Sequence, residues 1–491
     1  MVSGSNFCID KQEANQDMTF AQADAYCKAK NQRLCTTAEY MFSCSNLANV
    51  IQWNTQGATE EWQSNDGNTP TCASNQQARV NSIASCPPAS QKQTYNCTEA
   101  TRSISVRCCS DLVGGVSNVP ATMIFKGTNS LNATQALTFN TDTGEIQGLR
   151  AAGTGLISGI YFDKIPQANG TNLGVFVFTQ ITIAANVTVT GSGNSALVLL
   201  SSSTCDISGT INVSGANSPD VTSSSSTSPA GTGRCGGSNG GTGSNLDYQG
   251  ATSGFGSGAG SVGTPGVHYG NGGGGGGFGA GGGGGYGGTG IAGQNGTDTA
   301  GGAPGNDSYG KSGGGGGNPY GSPVCAPLYG GSGGGGGLSD ADRNPDGSGS
   351  GGGGGGGAVQ ISCLGKLTIV SSGTINASGG NAGTAYGGGG GGGSGGSIFL
   401  EAPEVTNAGK LLAHGGIGGH GNLRWVPSGR TGGARGGLDL PRGGGGGTAE
   451  SGGGGGGCGR IRIHTSSSGN FTNTGNVHPS TSPAFSSAKR P

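Results

Sequence analysis

Apolar and polar positions alternate through the middle of the chain. Val175–Phe178, Ile181-Thr182-Ile183, Val187-Thr188-Val189-Thr190 and Ala196–Leu200 follow one another with short polar breaks. Period-two patterning of this kind predicts strands buried on one or both faces. The same pattern returns further on. Ala196–Leu199 leads to Asp206–Gly215, Ala358–Ile361 to Gly373–Gly380, Ser397–Leu400 to Gly409–Gly416, and Gly459–His464 to Phe471–Val477. Each unit is a strand, a turn and a second strand of the form Gly-x-apolar-x-small-x-Gly. Repetition of one such unit predicts a solenoid, read as a right-handed β-helix-like stack of parallel, in-register rungs. The first hundred residues are patterned differently. Phe20–Cys27 reads as a helix capped by Thr19, and Thr37–Cys44 as a second helix with Thr36 and Glu39 forming a capping box.

Composition divides the chain into three parts: a cysteine-rich segment over 1–112, a strand-rich start of the solenoid over 113–230, and a glycine-rich segment over 231–491. Of the 491 residues, 114 are glycine. They gather in blocks such as Gly313–Gly317, Gly333–Gly337, Gly351–Gly357, Gly387–Gly393 and Gly452–Gly457. The blocks exclude collagen, which needs glycine at every third position. Flexible tethers number one or two per chain, whereas these blocks recur at strand edges. They are read as polyglycine II helices, with three residues per turn, lying side by side and hydrogen-bonded to one another. Any Cβ would hold the neighbours apart, which explains the purity of the runs. Residues interrupting them then fall at tips, and Tyr269, Phe278, Tyr286, Tyr309, Tyr320, Tyr329 and Trp425 are the candidate ligand-binding aromatics.

Lys+Arg 24 against Asp+Glu 25 leaves a net charge of −1. No basic excess exists to hold a nucleic acid, and no apolar run reaches the roughly 18 residues of a membrane span. Asp340, Asp342, Asn344 and Asp346 are spaced like the start of a calcium loop. The bidentate glutamate position holds Gly353, so the loop is incomplete and reads first as a polar turn, with a weak structural calcium as the alternative; no other cofactor is expected. Gly305–Ser312 has the P-loop spacing without the strand and helix that the motif requires, and is read as coincidence. The five histidines lie at no useful spacing from a carboxylate or cysteine, so no enzyme is expected.

Cys8, Cys27, Cys35, Cys44, Cys72, Cys86, Cys97, Cys108 and Cys109 precede residue 112, and Cys205, Cys235, Cys325, Cys363 and Cys458 follow it. Their irregular spacing reads as a disulfide framework, which implies an oxidising compartment. Both groups are odd in number, so complete oxidation within one chain would need a bridge between them. Met1-Val2-Ser3-Gly4 carries no secretory signal, which leaves export after loss of a leader or carriage on a phage particle.

Three stretches near the start, Phe7–Ala14, Thr19–Cys27 and Gln32–Tyr40, followed by Val106-Arg107-Cys108-Cys109, resemble the sulfatase-modifying, formylglycine-generating-enzyme-like family. The resemblance implies a C-type-lectin-like α+β module. The stretch is under half the length of the catalytic members and has no counterpart of their paired active-site cysteines, so a binding or structural use of the fold is implied. The glycine-rich part is similar in composition to the receptor-binding tip adhesins of T-even-like phages and to glycine-rich β-helical bacterial surface proteins. The expected protein is mainly β, with a lectin-like module preceding a β-solenoid that carries a polyglycine II bundle. The expected role is an extracellular or cell-surface adhesin or fibre tip that engages a glycan or protein. A self-assembling filament or matrix subunit, an ice-binding protein and a degenerate enzyme are the alternatives.

Overall fold

The computed structural model describes residues 117–167, 171–221, 227–245, 249–263, 271–278, 312–339, 348–421, 452–466, 468–480 and 485–489, with shorter stretches between them. Of the first 116 residues it describes 2–3, 7–9, 17–29, 33–35, 60–62, 76–81, 95–99, 108–111 and isolated positions. Two compact units emerge, residues 1–123 and 124–490.

In the first unit, Phe20–Ala29 is helical. Thr19 caps it: the Gln22 amide donates to Thr19 Oγ1 at 3.4 Å, and the Thr19 amide donates back to Gln22 Oε1 at 3.0 Å. This reciprocal pair satisfies two amides that a helix start leaves open. Met18, Ala23, Cys27, Leu34, Val106 and Cys108 form a small core, pinned by the Cys27–Cys108 disulfide. A four-stranded sheet runs in the order Val2–Ser3, Phe7–Ile9, Cys108–Asp111, Arg33–Leu34. The second expected helix, Thr37–Cys44, lies outside the described residues.

The second unit is a solenoid-like stack of parallel strands. Each rung contributes one long and two short strands. The first full rung is Leu173–Phe178, Ile181–Ile183 and Thr188–Ser192, and the second is Ala196–Ser201, Cys205–Ile207 and Thr210–Asn212. The third, fourth and fifth long strands are Ala358–Cys363, Ser397–Glu401 and Arg460–Thr465. The register is unbroken across the long sheet, from Leu199 to Ile361 to Leu400 to Ile463. Those four side chains, with Ile183, Ile207, Ile369, Val405, Ile211, Ile375 and Leu411 from the short sheets, form one continuous core. At the start of the stack, Gly155–Ile157 and Ile160–Ile165 run antiparallel. There the buried Arg150 donates to the carbonyls of Gly144, Gly155 and Ile160. Residues on either side of position 230 share this core.

Cys205 and Cys363 form a disulfide between successive rungs that are 158 residues apart in sequence. The cross-link spans the longest insertion, where loop closure is entropically most costly.

The insertions all leave after the third strand of a rung and return at the next long strand. Gly351–Gly357, Gly387–Gly393 and Gly452–Gly457 each run into that return, so the stacking of rungs sets the runs side by side. Their amides bond outward with a period of three. Gly331, Gly334 and Gly337 donate to Gly356, Gly353 and Ser350, an antiparallel pair. Ser350, Gly353 and Gly356 donate in turn to Gly388, Gly391 and Ser394, a parallel pair. The intervening residues serve other neighbours: Gly352 and Gly355 donate to Gly241 and Ser238, and Gly354 and Gly357 to Ala216 and Val213. One run therefore donates to three neighbours in rotation, which a chain with three residues per turn permits. Packing leaves no room for side chains. A Cβ on Gly354 would overlap the Thr232 carbonyl, and one on Gly353 the Gly380 carbonyl.

The Gly351–Gly357 amides are thus expected to exchange with solvent as slowly as those of the long-sheet strands, measurable by hydrogen exchange. Gly354→Ala is expected to destabilise the unit by about 2 kcal/mol or more in chemical unfolding. Gly469→Ala, where nothing lies within reach of a Cβ, is expected to shift stability by less than about 0.5 kcal/mol.

Candidate functional site

Four of the seven aromatics expected at loop tips, Tyr269, Tyr286, Tyr309 and Trp425, lie outside the described residues, as do Asp340, Asp342, Asn344 and Asp346. The other three come together. Phe278 packs edge-on against Tyr320 with ring centres 4.8 Å apart, and Tyr320 against Tyr329 at 6.1 Å. Phe278 is only 1% exposed, so its ring is structural rather than displayed. The guanidinium of Arg460 lies 5.5 Å from its centre and donates to the carbonyls of Tyr320 and Gly321. Burial lowers the Arg460 pKa below its ordinary value.

Tyr320 and Tyr329 are half-buried and line a cleft of about 390 Å³ with Thr171, Gly236, Ser238, Gly256, Ser257 and Gly330. The lining comes from segments that only the stack brings together. Thr171 precedes the first long strand, Ser238 and Ser257 belong to the large insertion, and Tyr329 is tied to the fourth long strand by the Ser397 hydroxyl, which donates to its carbonyl at 2.6 Å. Tyr320 Oη donates to the Gly330 carbonyl at 2.6 Å and accepts from Ser332 Oγ at 3.1 Å. Burial pushes the Tyr320 phenol well up, with the Ser332 hydrogen bond and Arg460 opposing, so it stays protonated. Gly256 has φ +101°, and a Cβ there would press on the hydroxyls of Ser238 and Ser332.

One residue beside this cleft escaped the sequence reading. Phe255 immediately precedes two of the lining residues and is 58% exposed. Its backbone is fixed: its amide donates to the Asn239 carbonyl at 2.9 Å, and its own carbonyl accepts from Gly333 at 3.0 Å. The only sequence signal was a single aromatic among small residues.

A second polar cluster is buried on the long sheet. Ser362 Oγ donates to Glu401 Oε2 at 2.7 Å, and Gln360 Nε2 to the same oxygen at 3.1 Å. His464 Nδ1 lies 3.4 Å from Glu401 Oε1, and Arg462 Nε donates to His464 Nε2 at 2.9 Å. The serine is bonded to the carboxylate rather than to the imidazole, and the arginine occupies the ring's other nitrogen. This arrangement does not activate a nucleophile; it satisfies a buried carboxylate. Among the described residues, no group of three or more His, Cys, Asp or Glu is placed to hold a metal, and no helix is long and apolar enough to cross a membrane.

Cys235, Cys325 and Cys458 are buried thiols. Burial pushes Cys325 up to about 12 and raises Cys235 further. Neither is a thiolate at neutral pH, so neither is a nucleophile. Within the later group, Cys205 and Cys363 bridge each other. Cys35 is disulfide-bonded. The side chains of Cys8, Cys44, Cys72, Cys86, Cys97 and Cys109 lie outside the described residues.

Fold and cleft define a mainly-β protein of stacked parallel strands with a small disulfide-bonded N-terminal region. No family model, curated protein or solved structure matches the chain.

Iodoacetamide at pH 8 is expected to leave Cys235, Cys325 and Cys458 unlabelled in the native protein and to label all three after unfolding without reductant. Peptide mapping by mass spectrometry reads the result.

Proposed function

We propose that this is an extracellular, non-enzymatic adhesin or fibre-tip protein. The β-solenoid carries a bundle of polyglycine II helices, and the bundle holds recognition surfaces stiffly against a cell-surface ligand. The single observation behind this reading is the rotating hydrogen bonding of Gly351–Gly357 with its neighbours. Glycine loses more conformational freedom on ordering than any other residue. A chain that orders so many glycines gains rigidity at positions where side chains are few, which suits display. The disulfides Cys27–Cys108 and Cys205–Cys363 fit an oxidising compartment outside the cytosol. The N-terminal unit, read as a C-type-lectin-like module, would serve as a second binding or mounting element.

Ice binding is a second reading with an observation of its own. Thr188 and Thr190, Thr210 and Asn212, and Thr374 and Asn376 stand in register on successive parallel strands, about 4.8 Å apart. These hydroxyl and amide columns are distant in sequence and become an array only through stacking. Lys410 with Leu412, and Asn476 with His478, interrupt it on the next two rungs.

The intact protein, fluorescently labelled, is expected to bind a defined subset of a glycan array or of cell surfaces. Filaments in the electron microscope without such binding would favour a matrix subunit instead. Thermal hysteresis abolished by Thr374→Lys would favour ice binding, and its absence removes that reading.

A further inference from the structure

The cleft beside Phe255 has a chemistry that selects among ligands. We infer that it is a binding site for a neutral saccharide, one to two pyranose units long. The inference rests on the adhesin reading and names the ligand class that one of its surfaces takes.

Three features carry the argument. First, among the described residues no ionised side chain lines the cleft. Its walls are Thr171, Ser238, Ser257, Tyr320, Tyr329 and glycine backbone. The nearby cation, Arg460, is itself buried and donates through Nη2 to the Tyr320 and Gly321 carbonyls, with its guanidinium over the Phe278 ring. A charged ligand would be desolvated there without a counter-charge, which is costly. Second, hydroxyls are supplied without competing partners. The side-chain oxygens of Thr171, Ser238 and Ser257 make no hydrogen bond among the described residues, while those of neighbouring Ser332 and Tyr320 are engaged with protein. A hydroxyl both donates and accepts, which matches the hydroxyl groups of a sugar edge. Third, aromatic surface adjoins these hydroxyls. Two tyrosine rings stand within the cleft, and Phe255 offers an exposed ring next to it along the chain. A pyranose combines an apolar face of C–H groups with a polar rim, and an aromatic ring beside partnerless hydroxyls complements both.

Size and stiffness agree with this assignment. A volume of about 390 Å³ lies at the small end of the roughly 300–1,000 Å³ range of ligand sites. The walls are locked before any ligand arrives. The Ser238 amide donates to the Gly331 carbonyl, the Gly355 amide to the Ser238 carbonyl, and the Gly258 amide to Ser332 Oγ. Preorganised walls spare the ordering cost that weakens most shallow sites.

The test uses the full chain and four neutral trisaccharides: cellotriose, chitotriose, mannotriose and maltotriose. Binding is read by saturation-transfer NMR and calorimetry. At least one trimer is expected to bind. Ser257→Trp, which places a large ring at an exposed position in the cleft, is expected to weaken that binding about tenfold or more. Phe255→Ala is expected to weaken it about fivefold. Both variants should keep the wild-type melting temperature and slow glycine-amide exchange, so lost binding is not lost folding. Failure of all four sugars at about 10 mM, where even millimolar sites register, overturns the inference. So does an affinity unchanged within about twofold in Ser257→Trp, or tighter binding of anionic sialyllactose than of every neutral trimer. Cell-surface attachment measured in parallel separates the two levels. Attachment that persists without neutral-sugar binding overturns the saccharide cleft and leaves the adhesin reading standing. Absence of any attachment by the wild-type protein overturns the adhesin reading itself.

Discussion

The structure of the second unit depends on backbone amides finding partners in neighbouring glycine segments. Regular helices satisfy their amides within one segment, and sheets satisfy them with two neighbours. The Gly351–Gly357 run does neither. Its residues donate in rotation to Gly391 and Ser394, to Gly241 and Ser238, and to Ala216 and Val213. Only a chain without Cβ atoms allows backbones to approach from so many sides, and weak Cα–H···O contacts gain from the same closeness. No single run could be ordered alone, because its buried amides would lack acceptors. Order must be reached by many runs together.

That collective requirement explains why the glycine segments are grafted on a stack of rungs. Parallel strands return the chain to one corner at each turn, so every insertion begins and ends beside the previous one. The apolar core of Leu199, Ile361, Leu400 and Ile463 and their partners from the short sheets fixes the register, and the Cys205–Cys363 bridge holds it across the longest insertion. Bonding is continuous from one part into the other. The Val213, Ala377 and Ala413 amides still donate to the next rung, to Asn376, Leu412 and His478, after the strands have ended. The Asn381 amide then donates to the Asn217 side chain, and the Ile417 amide to that of Asn381. The sheet hands its spacing to the glycine segments.

Two sets of polar groups in the unit contrast. Those on the long sheet, Gln360, Ser362, Glu401, Arg462 and His464, satisfy one another. Those around the Tyr320–Tyr329 cleft divide between structural hydroxyls such as Ser332 and hydroxyls, such as that of Ser257, that have no protein partner among the described residues. The aromatics divide likewise. Phe278 is packed beneath Arg460, Tyr320 is anchored by its hydroxyl, and Phe255 is fixed through its backbone while its ring faces solvent. Rigid backbone with a few committed side chains is an economical way to hold a site open.

Local patterning by itself determined the rungs. Ile181-Thr182-Ile183 and Thr374-Ile375-Asn376 alternate over three residues, and whichever face is buried follows from a period of two. The helix was equally legible over Phe20–Cys27, because Thr19 caps it locally, and the structure extends it to Ala29. The sequence also showed that the glycine runs exclude side chains. It did not show which run pairs with which, since identical residues carry no pairing information and any run could fit beside any other. Only the tertiary structure decided that. It also decided that Phe278 is buried while Phe255 is displayed, and that Cys205 pairs with Cys363 while Cys235 remains a thiol. The physical reason is the same in each case. These outcomes depend on neighbours delivered by stacking between segments far apart in sequence, 158 residues for Cys205 and Cys363, a distance over which local patterning carries no signal.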